Sequence, residues 1–472
     1  MMRTQSRSHL RGQPSVAFVL IAALLVSLWL AGGASRDGVS GQIIVRGSAW
    51  VALIAGLLFC RPIFRSLRPL WLLMAGMVLL ALLQIVPLPP AIWQALPGRA
   101  PFTEIAAITG QEQPWRPWAI VPSAARNAAE SLIVPVAILY LMASLCDRER
   151  DWLLPTLLVL ISASMLIGLL QFSGAVLDNP FVNDTAGEVS GNFANRNHFA
   201  LFMAFGCLLA PIWAFSRGRG LNWRIMIALG LVPLFALTIL ATGSRAGLLL
   251  GAVGLGIGLV LARREVKSLL DRSPRWVLPA IIAGFIAVIA MLIMLSIAAN
   301  RAVAINRVIE MDPGQDMRSR GLPTVIEMIG TYFPVGSGLG GFDPLFRMHE
   351  PFALLKPTYF NHAHNDFLEI VLDAGFPGLL LLLLALGWWA WASMRIWRGA
   401  AGAGGTLART GSAMIFLVLV ASIVDYPART PMIMAVLVIA ATWLAVESDS
   451  RSQTGKSLAD HPAGGLALPR QG

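Results

Sequence analysis

Long apolar runs recur along this 472-residue chain and restrict its fold more than any other feature. A helix of roughly 20 apolar residues crosses the hydrocarbon core of a bilayer. The runs are continuous rather than alternating, which is typical of membrane helices and not of barrel strands. Because 56% of the residues are hydrophobic and only 13% are charged, the sequence predicts an all-α polytopic membrane protein.

The apolar runs predict about twelve transmembrane helices. We expect them at approximately 15–32, 43–60, 70–87, 131–146, 153–172, 197–215, 225–242, 246–262, 276–296, 376–394, 411–426 and 429–446. Most arginines and lysines fall in segments on the same side as the N-terminus, which predicts that both termini are cytoplasmic. The net charge of +11 is therefore attributed to this bias and not to nucleic-acid binding. The first run could instead be a cleaved signal peptide, although we favour a retained span.

The spans divide the chain into four regions. We expect an N-terminal bundle of about nine spans at 1–296, a large periplasmic loop with short helices at 297–375 (between spans 9 and 10), about three further spans at 376–446 and a disordered cytoplasmic tail at 447–472. The loop places basic residues on the outer face, against the usual bias, which suggests an anionic ligand. These residues are Arg301, Arg307, Arg318, Arg320, Arg347 and Lys356.

Within this loop, apolar residues at helical spacing follow Arg318 and predict a short amphipathic helix that ends near Tyr332. They are Leu322, Val325, Ile326 and Ile329. The sequence GSGLGG comes next. Because no strand precedes it, a tight or flexible glycine turn is favoured over a dinucleotide-binding loop.

Two polar groups lie at the predicted outer ends of spans. Arg245, in LATGSRAG, is either an arginine that extends to the interface or a fork of donors for a phosphate or carboxylate. The second group begins the sixth span and contains Asn195, Arg196, Asn197 and His198. It either caps the helix or offers the helix N-terminus to an anion.

The stretch NHAHNDFLEIVLDAGFPG, 361–378, is the most polar segment beside a span. As a helix it would place Asp366, Glu369 and Asp373 on one face. We expect that face to meet loop or water and the opposite, apolar face to meet the bundle. His362 and His364 lie at the N-terminal end of this helix, which we expect over 363–373. They could form a metal site, a structural cap or, as neutral imidazole, a general base.

The same stretch resembles the signature of the O-antigen ligase and polymerase-like superfamily of membrane glycosyltransferases. That signature is His, then Asn, Ser or Gln, nine residues, Gly, two residues and Gly. It is matched by His364, Asn365, Gly375 and Gly378. GSRAG, PVGSGLGGF and GNFANRNHFA are similar to further segments of the family, so that the likeness spans roughly 190–445.

The resemblance implies an enzyme of the bacterial inner membrane whose active site faces the periplasm. Such an enzyme moves a glycan from an undecaprenyl-diphosphate carrier to an acceptor hydroxyl, with no cofactor, metal or nucleic acid. The acceptor would be a lipid A–core sugar. A growing glycan (a polymerase) and a protein side chain (an O-oligosaccharyltransferase) are the alternatives. A lipid-linked sugar transporter is less favoured, because no internal repeat is evident.

The resemblance also assigns roles to residues. His364 would deprotonate or orient the acceptor hydroxyl, Arg245 would bind the diphosphate, and Arg318 would be the loop arginine, with Arg320 as its competitor. Leu322 and Pro323 stand where the family often has an aromatic residue. Further substrate contacts are expected from Arg196, Asn197, His198, His362 and Asn365, and a structural role from Gly375 and Gly378.

Overall fold

The computed structural model describes most of the chain as helices. The described residues are 13–216 without 176, 178, 184 and 186, then 223–276, isolated positions between 279 and 294, 317–355, 360–399 and 403–459. Within them we number the helices α1 Val16–Ala31, α2 Gly41–Phe59, α3 Arg68–Leu83, α4 Pro90–Gln94, α5 Ala100–Ile108, α6 Pro122–Ser131, α7 Ile133–Ser144, α8 Asp147–Ser173, α9 Arg196–Phe215, α10 Trp223–Thr242, α11 Arg245–Leu261, α12 Arg263–Leu270, α13 Met317–Tyr332, α14 Phe342–His349, α15 Asp366–Arg398, α16 Ala403–Ala421 and α17 Pro431–Ala459. Strand β1, Pro87–Leu88, pairs antiparallel with β2, Arg116–Pro117.

The helices have the length and apolarity of a multi-pass membrane protein. Six helices of the described residues could cross a bilayer, or seven if α11 and α12, which are bent by 71°, form one span. Four shorter apolar helices coincide with other predicted spans: Val16–Ala31, Arg68–Leu83, Gly405–Ala421 and Pro431–Val446. The helical membrane fold is therefore confirmed, while the count of twelve and the position of the large loop stay predictions.

Parts of the sequence prediction fall on residues that the structure does not describe. The ninth predicted span, 276–296, is described only at its first residue and at isolated positions, and Arg301, Arg307 and Lys356 lie outside the described residues. The disordered tail expected at 447–472 stays a prediction: α17 continues as a helix to Ala459, and 460–472 lie outside the described residues.

Helix α9 lies in the centre of the bundle. Nearly all of its residues are buried, and α8, α10, α11 and α16 pack against it. Small residues allow the close approach. A Cβ at Gly247 of α11 would overlap Ala200 of α9, and one at Gly258 would meet the Leu208 carbonyl. These contacts bring the N-terminal ends of α9 and α11 side by side.

Several chain segments meet at this end of the bundle, which we call the site end. The Gly32 carbonyl accepts the N–H of Met432 at 3.1 Å, and the Gly33 carbonyl accepts the N–H of Ala194 at 3.0 Å. The end of α1, the start of α9 and the start of α17 are thereby joined through backbone hydrogen bonds.

A small second core covers the site end. Helices α13 and α14 pack together through Val325, Met328, Tyr332 and Phe346, and Leu372 of α15 joins them. The predicted end of α13 at Tyr332 is correct. The residues predicted to form its apolar face are only partly buried. Val325 is buried, whereas Leu322 and Ile326 are exposed because α14 covers one narrow side of the helix.

Helix α15 changes direction at Gly375, whose φ of 55° and ψ of −142° are open only to glycine. The glycine turn folds over this break. The Pro334 carbonyl accepts the N–H of Phe376 at 2.7 Å, and the Asp373 carbonyl accepts that of Gly338 at 2.8 Å. The expected tight turn is confirmed, and it satisfies backbone groups that the break would leave unpaired.

Candidate functional site

Asp425 lies at the centre of a polar cluster at the site end, in the turn between α16 and α17. Its side chain is buried. Asn197 donates to Oδ2 at 2.7 Å, and Arg318 donates to the same oxygen at 3.3 Å. His198 Nε2 and His364 Nδ1 lie 3.5 Å and 3.4 Å from Oδ1. One carboxylate thus joins α9, α13 and the turn before α15.

The contacts of Asp425 favour its ionised form. Burial on its own would raise the pKa of the carboxyl, but the His198 and His364 imidazoles beside it hold the pKa well below its usual range. Asp425 is therefore a negative charge at neutral pH, and it lies beside the two imidazoles.

His364 adopts a backbone conformation that is unusual for its residue type. Its φ is 51°, in the left-handed region, which costs a non-glycine residue about 1–2 kcal/mol. Its ring lies 5.0 Å from the rings of Phe360 and Tyr426, measured between centroids. Since Nδ1 is buried and faces Asp425, we infer that Nδ1 holds the proton. The lone pair of Nε2 can then accept a proton from a ligand.

Tyr426 separates three histidines. The His362 ring lies 4.1 Å from the Tyr426 ring and is tilted by 40°, and the His198 and His364 rings each lie at 5.0 Å, measured between centroids. Asn361 donates to the Tyr426 hydroxyl at 3.0 Å. Burial and the nearby Asp425 charge raise the pKa of Tyr426 to about 12, so that the phenol stays protonated and can donate.

The acidic residues of α15 face a loop and not water, so that one of the two predicted surroundings is correct. Asp366, Glu369 and Asp373 are all buried around the Arg429 guanidinium, at 3.3, 3.3 and 3.4 Å. Burial alone would lower the pKa of Arg429, but the three carboxylates raise it above its usual value. The turn that carries Arg429 lies over the acidic face, which spacing along α15 could not indicate.

This cluster also fixes the segment that contains His364. Glu369 Oε1 lies 2.8 Å from His362 Nδ1, and Oε2 accepts the N–H of Ala363 at 2.8 Å. Asn365 caps α15 by accepting the N–H of Leu368 at 3.1 Å, and it donates to the Ile423 carbonyl at 3.0 Å. Asn365, expected to contact substrate, therefore holds the turn in place.

The structure separates the two candidate loop arginines. Arg318 contacts Asp425, and its side chain is 33% exposed, so that it can also meet a ligand. Arg320 instead donates to the Ala353 carbonyl at 3.0 Å. Arg196 lies 3.4 Å from Glu188 in the preceding loop. Of the residues expected at the start of the sixth span, Asn195, Asn197 and His198 contact Asp425.

Arg245 occupies the first position of α11 and is exposed. Ser244 caps that helix by accepting the N–H of Gly247 at 3.0 Å. Because Gly247 packs against Ala200 of α9, Arg245 lies at the same end of the bundle as His198.

The described residues contain no group of three His, Cys, Asp or Glu side chains arranged to hold a metal ion. The nearest candidates already have other partners, because Asp425 contacts Arg318 and Glu369 contacts Arg429. The expected independence from metal stays a prediction.

Sequence reasoning missed Asp425, Tyr426 and Arg429. A signal was present, because Asp425 and Arg429 fall within the ends of two predicted spans. Ionisable residues in apolar segments are rare and generally functional. Their partners, however, lie at least 56 residues away along the chain, beyond what local patterns reveal.

Fold and site together define a multi-pass helical membrane protein with a buried His–Asp–Arg cluster at one end of its bundle. Residues 229–383 match the family described as O-antigen ligase. The match confirms the resemblance to the O-antigen ligase and polymerase-like superfamily and supports a membrane glycosyltransferase-like enzyme. The matched region includes Arg245, Arg318 and His364 but not His198 or Asp425. Among curated proteins, none matches the chain.

Proposed function

We propose that the chain transfers a glycan from an undecaprenyl-diphosphate carrier to a hydroxyl of a lipid A–core sugar at the periplasmic face. The main support is the position of His364 Nδ1, 3.4 Å from Asp425, whose other oxygen contacts Arg318. This arrangement provides a proton acceptor beside a partly exposed cation, as transfer from a lipid diphosphate requires.

His364 acts on the acceptor. Asp425 favours the proton on Nδ1 and stabilises the imidazolium that forms when Nε2 takes the proton of the acceptor hydroxyl. The acceptor oxygen then bonds to the anomeric carbon as the bond from that carbon to the phosphate oxygen breaks. A single displacement of this kind inverts the configuration at that carbon.

Arginines act on the donor. The leaving undecaprenyl diphosphate gains negative charge, which guanidinium groups stabilise through charge-assisted hydrogen bonds. Arg318 contacts the same carboxylate as His364 and can therefore stabilise the leaving diphosphate. Arg245 adds a second guanidinium group from the start of α11. Neither arginine needs to exchange a proton with the leaving group.

Analysis of surface glycans in a deletion strain tests the proposal. We expect lipid A–core without its polymer, and restoration by the wild-type chain but not by His364→Ala. Cores that carry single repeat units would indicate a polymerase instead. Loss of a protein-linked glycan alone would indicate an O-oligosaccharyltransferase.

A further inference from the structure

A polar cavity of about 210 Å³ opens beside the Asp425 cluster. It lies between the loop after α1, the loop before α9 and the segment before α15. The residues that line it include Ser35, Arg36, Asn183, Asn361, His198 and Tyr426. Most of these side chains are uncharged hydrogen-bonding groups.

The lining suits hydroxyl groups better than a diphosphate. Hydroxyls and amides both donate and accept, as a sugar ring requires, whereas a diphosphate needs several cations. Arg36 is the arginine that lines the cavity among the described residues, and neither Arg318 nor Arg245 does so. Behind His198 lies the Asp425 carboxylate, at 3.5 Å, which disfavours a further anion.

The size restricts the ligand to a small unit. Pockets that enclose drug-sized ligands measure about 300–1,000 Å³. A cavity of about 210 Å³ is smaller and suits one sugar rather than an oligosaccharide.

The cavity adjoins the chemistry of the site through two shared residues. Tyr426 lines it and also lies 5.0 Å from the His364 ring. Ser35 lines it, and its Oγ lies 3.5 Å from His362 Nε2. A ligand there would be one aromatic ring away from the proposed base.

We propose that this cavity is a subsite for one hydroxyl-rich sugar unit, which it holds on the opposite side of the Tyr426 ring from His364. The inference rests on the proposed function and adds the loop after α1 to the binding site. The sugar is either the first unit of the lipid-linked glycan or the terminal unit of the acceptor, since both present the same chemistry.

Steady-state transfer by the purified full-length chain in lipid distinguishes the two sources. The probes are undecaprenyl-diphosphate-linked glycan and lipid A–core isolated from the parent strain. Ser35→Ala and Asn183→Ala each remove a hydrogen-bonding group from the cavity. Ser40→Ala is the matched control, because Ser40 lies on the same loop but donates to the Pro180 carbonyl.

We expect each cavity variant to raise KM for one of the two substrates by about five- to tenfold, with kcat within twofold of wild type. The substrate whose KM rises identifies the sugar. Ser40→Ala should change neither KM. Unchanged KM values for both substrates in the Ser35→Ala, Asn183→Ala double variant would overturn the subsite, while loss of transfer in His364→Asn would still support the proposed function.

Discussion

At the scale of single residues, Asp425 determines how His364 can act. Asp425→Asn preserves the size of the side chain but removes the charge that holds the proton on His364 Nδ1. We expect glycan transfer to fall by about 100-fold or more, in the range that general acid–base catalysis contributes. Transfer rates of the purified variant, measured alongside its melting temperature, test this expectation.

The pH dependence of Asp425 has a defined sign. Its pKa in the folded protein lies well below the value of about 3.9 in an unfolded chain. Its contribution to stability is therefore complete above about pH 4 and is lost as pH falls through the folded pKa. Below about pH 4, the stability difference between wild type and Asp425→Asn should shrink as pH falls, because wild type alone then protonates this carboxylate. A difference that does not change as pH falls below about 4 would contradict the assignment.

Arg318 and Arg320 form a natural comparison two residues apart. Arg318→Lys should lower the rate of glycan transfer on the order of 100-fold. Lysine keeps the charge but lacks the planar guanidinium that donates two parallel hydrogen bonds to the leaving group. Arg320→Lys should have little effect, since Arg320 contacts the Ala353 carbonyl. Equal losses in the two variants would contradict the separation that the contacts indicate.

Residue patterns predicted part of this site. The resemblance to the family signature singled out His364, and the resemblance to the family's loop arginine singled out Arg318 with Arg320 as its competitor. Spacing also grouped the three carboxylates correctly on one face of α15. It could not reveal Arg429 or Asp425, because the turn between α16 and α17 approaches that face only after the helices pack.

At the scale of structural elements, the break in α15 joins the glycine turn to the bundle. A Cβ at Gly375 would overlap the Pro334 carbonyl oxygen, and the backbone conformation alone would cost another residue about 1–3 kcal/mol. Gly375→Ala should therefore lower the melting temperature clearly. Gly387→Ala, in open space on the same helix, is the control and should be neutral or stabilising. Similar melting temperatures for the two variants would contradict the role of the break.

Arg429 holds three buried carboxylates together. Arg429→Gln would leave them without their cation, at a cost of roughly 3–5 kcal/mol. Arg347→Gln breaks an ion pair with Asp343 in which the arginine is 56% exposed, and should cost less than about 1 kcal/mol. Denaturation of the two variants in the same detergent compares them. An Arg429 variant as stable as the Arg347 variant would contradict the role of Arg429 in holding the three carboxyl groups together.

At the scale of the whole molecule, the bundle places residues that are distant in sequence at one end. Apolar length and charge bias predicted the helical membrane fold, because bilayer thickness alone sets the length of a span. They could not predict that α9 would be central, since burial on all sides depends on small residues in neighbouring helices. Nor could they predict that Arg99, between α4 and α5, would be buried and donate to the Gly336 carbonyl at 3.2 Å.

The most direct test of the account is glycan transfer by His364→Asn in a purified system with lipid-linked donor. Asparagine tolerates the left-handed backbone at this position, so that the fold should be preserved, but it cannot accept a proton as imidazole does. We expect a melting temperature close to that of wild type and no detectable transfer. Transfer at the wild-type rate would contradict the central role of His364.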